Sequence, residues 1–270
     1  RRFVNLTSLN LDNCDSLTEI PDVSCLSKLE KLSFARCRNL LTIHCSVGLL
    51  EKLKILNAGG CPELKSFPPL KLTSLEKFKL SGCRSLESFP EILGKMENIT
   101  FLTLDKCGIK KIPPSFRNLT RLERLYLFKE GKLRDFDAAA FISNICMMPE
   151  LTLVIARQLQ WRVLPDDVLK LSSVVSSSIQ HLELIDCGLS DELLPLLLSC
   201  FVNVKNLNLS ENEFTFIPKC IKECRFLTTL TLDDCDNIQE IRWIPPNLKY
   251  FSALGCLALS SSSISMLMNQ

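Results

Sequence analysis

The sequence predicts an α/β solenoid, a curved horseshoe of about eleven turns with a parallel β-sheet on its concave side and a mostly irregular convex side. Three observations predict it. Leucine supplies 51 of 270 residues, while glycine supplies only 9. The apolar residues recur in the frame Leu-x-x-Leu-x-Leu-x-x-Cys. Successive regular copies lie 21 to 25 residues apart, a length that cannot bury its own apolar face and must stack on its neighbours.

The copies follow in order. The first five are Leu6, Leu9, Leu11, Cys14; Leu29, Leu32, Phe34, Cys37; Leu53, Leu56, Ala58, Cys61; Leu75, Phe78, Leu80, Cys83; and Ile99, Leu102, Leu104, Cys107. Two degenerate copies fill the interval to the next cysteine: Leu122, Leu125, Leu127 with Glu130 in the ladder place, then Met148, Leu151, Leu153 with Ala156 there. Four regular ones close the chain: Ile179, Leu182, Leu184, Cys187; Val204, Leu207, Leu209, Asn212; Leu227, Leu230, Leu232, Cys235; and Leu248, Phe251, Ala253, Cys256. This is a leucine-rich repeat.

Each position has a physical task. Period-2 alternation makes a short strand with leucines inward and the intervening residues outward. The ladder Cys or Asn sits where the chain leaves the strand. An Asn amide there can satisfy buried backbone groups, and a Cys is a small interior residue with a weak donor. Ile20-Pro21, Phe67-Pro68, Phe89-Pro90, Ile112-Pro113 and Ile217-Pro218 then begin the return segments, since proline ends strand pairing. One return reads as helical: Ser190 is an N-cap with Asp191 and Glu192 in the first turn, interrupted at Pro195. The organisation is a single domain over 1–270: regular turns to 127, degenerate turns and a mobile serine-rich loop (Ser172 to Ser178) over 128–178, regular turns over 179–259, and an outgoing linker over 260–270. Arg1 is not an initiator methionine, so the chain reads as a fragment of a larger protein.

Composition excludes several classes. Lys and Arg number 32 against 30 Asp and Glu, which advertises neither nucleic acid nor an acidic tail. The run from Leu193 to Leu198 is broken by Pro195 and is too short to span a bilayer. Eight of the 14 cysteines (14, 37, 61, 83, 107, 187, 235 and 256) fall in one inward column, which fits free thiols in a reducing compartment, cytosolic or nuclear. The sequons at Asn5, Asn98, Asn118 and Asn208 are discounted, because their residue types are those of the repeat itself. Cys220 and Cys224 lack further zinc ligands, and Asp233-Asp234-Cys235-Asp236 lacks spaced oxygen ligands, so no metal site is assigned. His44 and His181 stand outside any nucleophile motif, Gly94-Lys95-Met96 is no phosphate loop, and no catalytic residue is assigned.

Binding is therefore expected on the concave face. Its central column reads Asn10, Ser33, Asn57, Lys79, Thr103, Tyr126, Thr152, Glu183, Asn208, Thr231, Ser252. The preceding column reads Ser8, Lys31, Ile55, Lys77, Phe101, Arg124, Glu150, His181, Asn206, Thr229, Tyr250. Phe101, Tyr126, Phe128, Val154 and Ile185 place large apolar groups outward in the middle turns, and aromatic and Arg residues concentrate interface energy. Outward charge is basic in the first six turns, with Lys129 among the cations, and acidic in the last five, with Glu150 among the acids. The candidate partner-binding residues are Lys77, Lys79, Phe101, Arg124, Tyr126, Phe128, His181, Glu183 and Ile185.

The cysteine ladder, the Ile-Pro and Phe-Pro dipeptides and the irregular turn lengths resemble the repeats of plant TIR-type nucleotide-binding immune receptors. So do Ser177-Ser178-Ile179-Gln180-His181-Leu182-Glu183-Leu184 with Cys187, Phe201 to Phe214, Ile217 to Leu227, Ile238 to Lys249, and Cys256 with the end at Ser265 to Gln270. The resemblance implies a segment that senses a pathogen effector, directly or through a guarded host protein. It also implies contact with a nucleotide-binding domain that holds the receptor inactive, ADP or ATP being bound in that absent domain and no cofactor in this segment. No nucleic-acid or membrane partner is expected. Two other classes share part of the pattern. A substrate receptor of an F-box ubiquitin ligase would repeat Ile-Thr-Asp-x-Gly-Leu, approached once at Gly188 to Asp191. An extracellular receptor ectodomain would favour Asn ladders and paired capping cysteines.

Overall fold

The computed structural model describes residues 3–162 and 177–268; within these, the side chains of 130–135, 162 and 266–268 are left aside. The chain divides into two compact units, Arg1–Lys129 and Glu130–Gln270. The first contains β1 (Ser8–Asn10), β2 (Glu19–Ile20), β3 (Lys31–Ser33), β4 (Thr42–Ile43), β5 (Ile55–Asn57), β6 (Lys77–Lys79), β7 (Phe101–Thr103) and the start of β8 (Arg124–Asp137). Strands β1, β3, β5 and β6 form a parallel sheet in that order, with Leu9, Leu32, Leu56 and Phe78 in register. Strand β7 pairs with β8 through Leu102 and Leu125. The inward residues Leu32, Leu56, Leu102 and Leu125 are fully buried, each contributing about 1.5–3 kcal/mol by leaving water. On the return side β2 pairs with β4; in the core between, Phe67, the β6 residue Phe78, Phe89 and Phe116 touch in sequence edge to face at 5.4, 6.2 and 5.0 Å.

The second unit contains α1 (Ala138–Cys146), β9 (Leu153–Arg162), β10 (His181–Ile185), α2 (Leu193–Cys200), β11 (Asn206–Asn208), β12 (Thr229–Thr231), β13 (Tyr250–Ser252) and α3 (Ser261–Met268). Strands β9 to β13 are parallel neighbours in chain order, with Val154, Leu182, Leu207, Leu230 and Phe251 in register. With the return-side pair β2 and β4 set apart, the described residues hold eleven strands, one for each expected turn.

The residue before the ladder place takes a left-handed backbone, which bends the chain out of the strand. Asn13, Arg36, Gly60, Gly82, Lys106, Asp186, Glu211, Asp234 and Gly255 all do so, and Gln158 joins them. Gln158 precedes Leu159, not Ala156, and the pairing of Val154 with Leu182 agrees. The seventh turn is therefore Leu151, Val154, Ala156, Leu159, three residues later than the sequence frame placed it. All four are fully buried. Val154 is thus a core residue rather than an outward one. Leu153 and Ile155 take the outward places expected for Glu150 and Thr152. At the sixth turn the strand runs on through Lys129 to Asp137, and the ladder place, Glu130, lies outside the described side chains.

Four further expectations change. Cys14 is exposed and Cys256 is half-buried, whereas the ladder cysteines between them are buried. The helical return begins at Leu193 with Glu192 as its cap residue. Pro195 sits inside its first turn, where the missing N–H costs nothing. The expected linker at 260–270 contains helix α3, tied to the return segment after Cys235 by Ser263, whose hydroxyl donates to the Gln239 carbonyl at 3.0 Å. Of the serine loop, Ser172 to Ser176 lie outside the described residues. Ser177 is buried, and its Oγ accepts from the Ile179 N–H. Helix α1 was not anticipated, although Asp137 followed by three alanines is a legible start; the Asp137 carboxylate accepts from the Ala140 N–H at 3.0 Å.

Candidate partner-binding face

The ladder fixes the strands before any binding residue can be placed. Each thiol donates to the carbonyl of the last inward strand residue one turn back. Cys37 reaches Leu11, Cys61 reaches Phe34, Cys83 reaches Ala58, Cys107 reaches Leu80, Cys187 reaches Ala156, Cys235 reaches Leu209 and Cys256 reaches Leu232, at 3.0 to 3.5 Å. Asn212 does more. Its amide nitrogen donates to the carbonyls of Leu184 and Leu209 at 2.7 and 2.8 Å and to that of Ser210 at 3.1 Å. Its oxygen accepts from the N–H groups of Cys187 and Leu189. Burial pushes the ladder thiols of Cys61 and Cys107 up to about 11 and that of Cys235 up to about 12, so they remain neutral donors.

In the first unit the strands so held present a continuous aromatic strip. Phe101, on β7, is 43% exposed. The Tyr126 ring lies 5.2 Å from it, and the Phe128 ring 6.0 Å from Tyr126. The Arg124 guanidinium sits 5.5 Å from the Phe101 centroid, a cation–π arrangement. Lys77 and Lys79 are exposed on β6, flanking the buried Phe78. All six of these expected binding residues thus share the solvent-facing side of one unit's strands. Lys129 does not join them: it is buried, its ammonium donates to the Ile109 carbonyl, and burial lowers it to about 8.

The second unit carries a different patch. Glu183 on β10 accepts from Arg157 at 3.0 Å and bonds His181 Nε2 at 3.0 Å. Half-buried Ile185, Leu153 and Ile155 lie on the same strand side. The sequence frame missed the last two, because it set the seventh turn three residues early.

The remaining polar groups serve the fold. His44 Nδ1 accepts from the Ser46 N–H and caps the 3-10 helix Cys45–Leu49. Asp22 lies 3.8 Å from that same Nδ1, so histidine, serine and carboxylate converge on one nitrogen and form no relay across the ring. The side-chain amides of Asn98 and Asn118 donate to the carbonyls of Thr73 and Ile92 one turn back. Among the described residues, no helix is long and apolar enough to cross a membrane.

Comparison with known proteins bears on this arrangement. The family described as "Disease resistance protein RPS4B-like, leucine-rich repeats" matches residues 71–267. TMV resistance protein N of Nicotiana glutinosa is 27% identical, covering 92% of this chain and 25% of that protein. Disease resistance protein RPS4B of Arabidopsis thaliana is 31% identical, covering 80% of this chain and 17% of that one. The chain therefore spans a quarter or less of the length of these relatives. Among solved structures, the leucine-rich repeat domain of the type III effector XopL aligns with a TM-score of 0.56 at 18% identity, covering 92% of this chain and 76% of that one, a likeness of fold.

Proposed function

Because the chain belongs to the leucine-rich repeats of RPS4B-like disease resistance proteins, a protein-interaction module, we propose that it is the sensing segment of an intracellular plant immune receptor of the TIR-type nucleotide-binding class. Its partner is a pathogen effector or a host protein that the effector modifies. The same repeats contact the receptor's nucleotide-binding domain and hold it inactive, with ADP or ATP bound in that domain. The thiol column, kept neutral and hydrogen-bonded to carbonyls, supports residence in a reducing compartment, cytosolic or nuclear.

The observation that carries the reading is the strip of Phe101, Arg124, Tyr126 and Phe128. Half-exposed aromatic rings and an arginine, held rigidly on paired strands, lose little entropy on docking. The test uses the full-length receptor with Arg124→Ala and Tyr126→Ala in this segment. We expect effector-dependent signalling and co-precipitation to fall while the protein accumulates to normal levels. Unchanged recognition by both variants would reject this face.

A further inference from the structure

A second surface lies away from the strand ribbon, on the return side of the last complete turns. The parallel bridge between Phe216 and Glu240 brings two successive return segments together. The 3-10 helix Lys219–Glu223 then carries Lys219 and Lys222 over the ring of Trp243, with their ammonium groups 5.8 and 4.3 Å from its centroid. Between these segments opens a cleft of about 460 Å³, lined by Phe216, Lys219, Glu240, Arg242 and Trp243 among others. Phe216 is 43% exposed.

The charges here are unequally matched. Glu240 is engaged by Arg242 at 2.5 Å, and Glu223 by Arg225 at 3.9 Å. Lys219 and Lys222 have no carboxylate partner among the described residues; the indole face is what holds them. An aromatic ring that fixes two ammonium groups beside an apolar cleft leaves an uncompensated positive rim around a greasy floor. We propose that this cleft docks an acidic protein segment, inserting an apolar side chain between Phe216 and Trp243 while its carboxylates meet Lys219 and Lys222. Duplex nucleic acid fits less well, since affinity for it rests on many phosphate contacts and only two cations are free here. This site is independent of the strand-face strip and does not rest on it.

The test uses the 270-residue chain and a fluorescein-labelled peptide of repeated Asp-Phe-Glu-Leu, read by anisotropy. The controls are polyglutamate, the same peptide with lysine at every acidic place, and duplex DNA. We expect the acidic-apolar peptide alone to bind. Lys219→Glu combined with Lys222→Glu should weaken it at least about tenfold, and Trp243→Leu about fivefold or more. Trp243→Phe, which keeps a ring face, should retain most of the binding, and thermal melts should show each variant folded. Tyr126→Ala should leave the affinity unchanged, which separates this cleft from the strand face. Equal binding by the charge-reversed variant would overturn the proposal. So would polyglutamate or DNA binding as tightly as the peptide, or loss of binding with Tyr126→Ala.

Discussion

At the scale of single residues, the ladder shows how unlike two occupants of one position can be. Cys83 makes a single thiol bond to Ala58, whereas Asn212 satisfies three carbonyls and two N–H groups. Asn212→Ala strands several buried backbone groups at once, so we expect a loss of about 2–4 kcal/mol. Cys83→Ser keeps a donor within reach of the same carbonyl and should cost only about 1 kcal/mol. Urea melts of the two variants check the ranking, and equal losses would mean that Asn212 gains nothing from its extra bonds. A glycine tells a similar story. Gly82 has φ +83°, and a Cβ there would lie 3.2 Å from the Cα of Gly60. Most of this was legible in the sequence, because Leu, Cys and Asn recur at fixed offsets. The burial of Lys129 was not: alternation sees a charged residue beside a strand and sends it outward, while its ammonium finds the Ile109 carbonyl inside.

At the scale of elements, the seventh turn separates pattern from pairing. In Met148-Pro149-Glu150-Leu151-Thr152-Leu153-Val154-Ile155-Ala156, apolar residues occupy both alternation phases, so two frames three residues apart score alike. Pairing with β10 and the bend at Gln158 choose the later one. We expect Val154→Lys to unfold the second unit or cost more than about 3 kcal/mol, from burying an unpaired ammonium. Thr152→Lys should be tolerated within about 0.5 kcal/mol. Circular dichroism melts distinguish the two frames: the earlier one places both residues outward and requires both substitutions to be tolerated. The thiol column behaves as an element too. Burial raises its thiols from about 9.0 in the unfolded chain to about 11 at Cys61 and Cys107 and about 12 at Cys235. The folded chain therefore holds more protons between those limits. Stability should be intact below pH 9 and decline as pH rises towards 11 and 12. Lys129, lowered from 10.5 to about 8, works in the other direction between those values but is one group against several. Urea midpoints measured from pH 8 upward check this, and a flat profile through pH 11 would show that the column is not the buried, neutral array described.

At the scale of the whole molecule, a net charge of +2 hides a division between the two units. Residues 1–129 carry 21 Lys and Arg against 13 Asp and Glu, and residues 130–270 carry 11 against 17, so the units stand at +8 and −6. Opposite charges on the two units favour attraction between copies when screening is weak. We expect the apparent mass in sedimentation velocity to rise at about 0.01 M salt, where the screening length is about 30 Å, and to return to that of a monomer at about 0.15 M. A mass independent of salt would show that the charges are locally neutralised. The ladder, finally, has a consequence for how such chains change over generations. Seven ladder thiols bond backwards to the same kind of carbonyl, so the joints they make are chemically alike. Duplicating or excising one whole repeat restores an intact seam, while a cut within a repeat leaves orphaned carbonyls in the interior. Length is thereby free to drift in steps of a full turn, and each step carries a new set of outward side chains to be tried against whatever the cell next encounters.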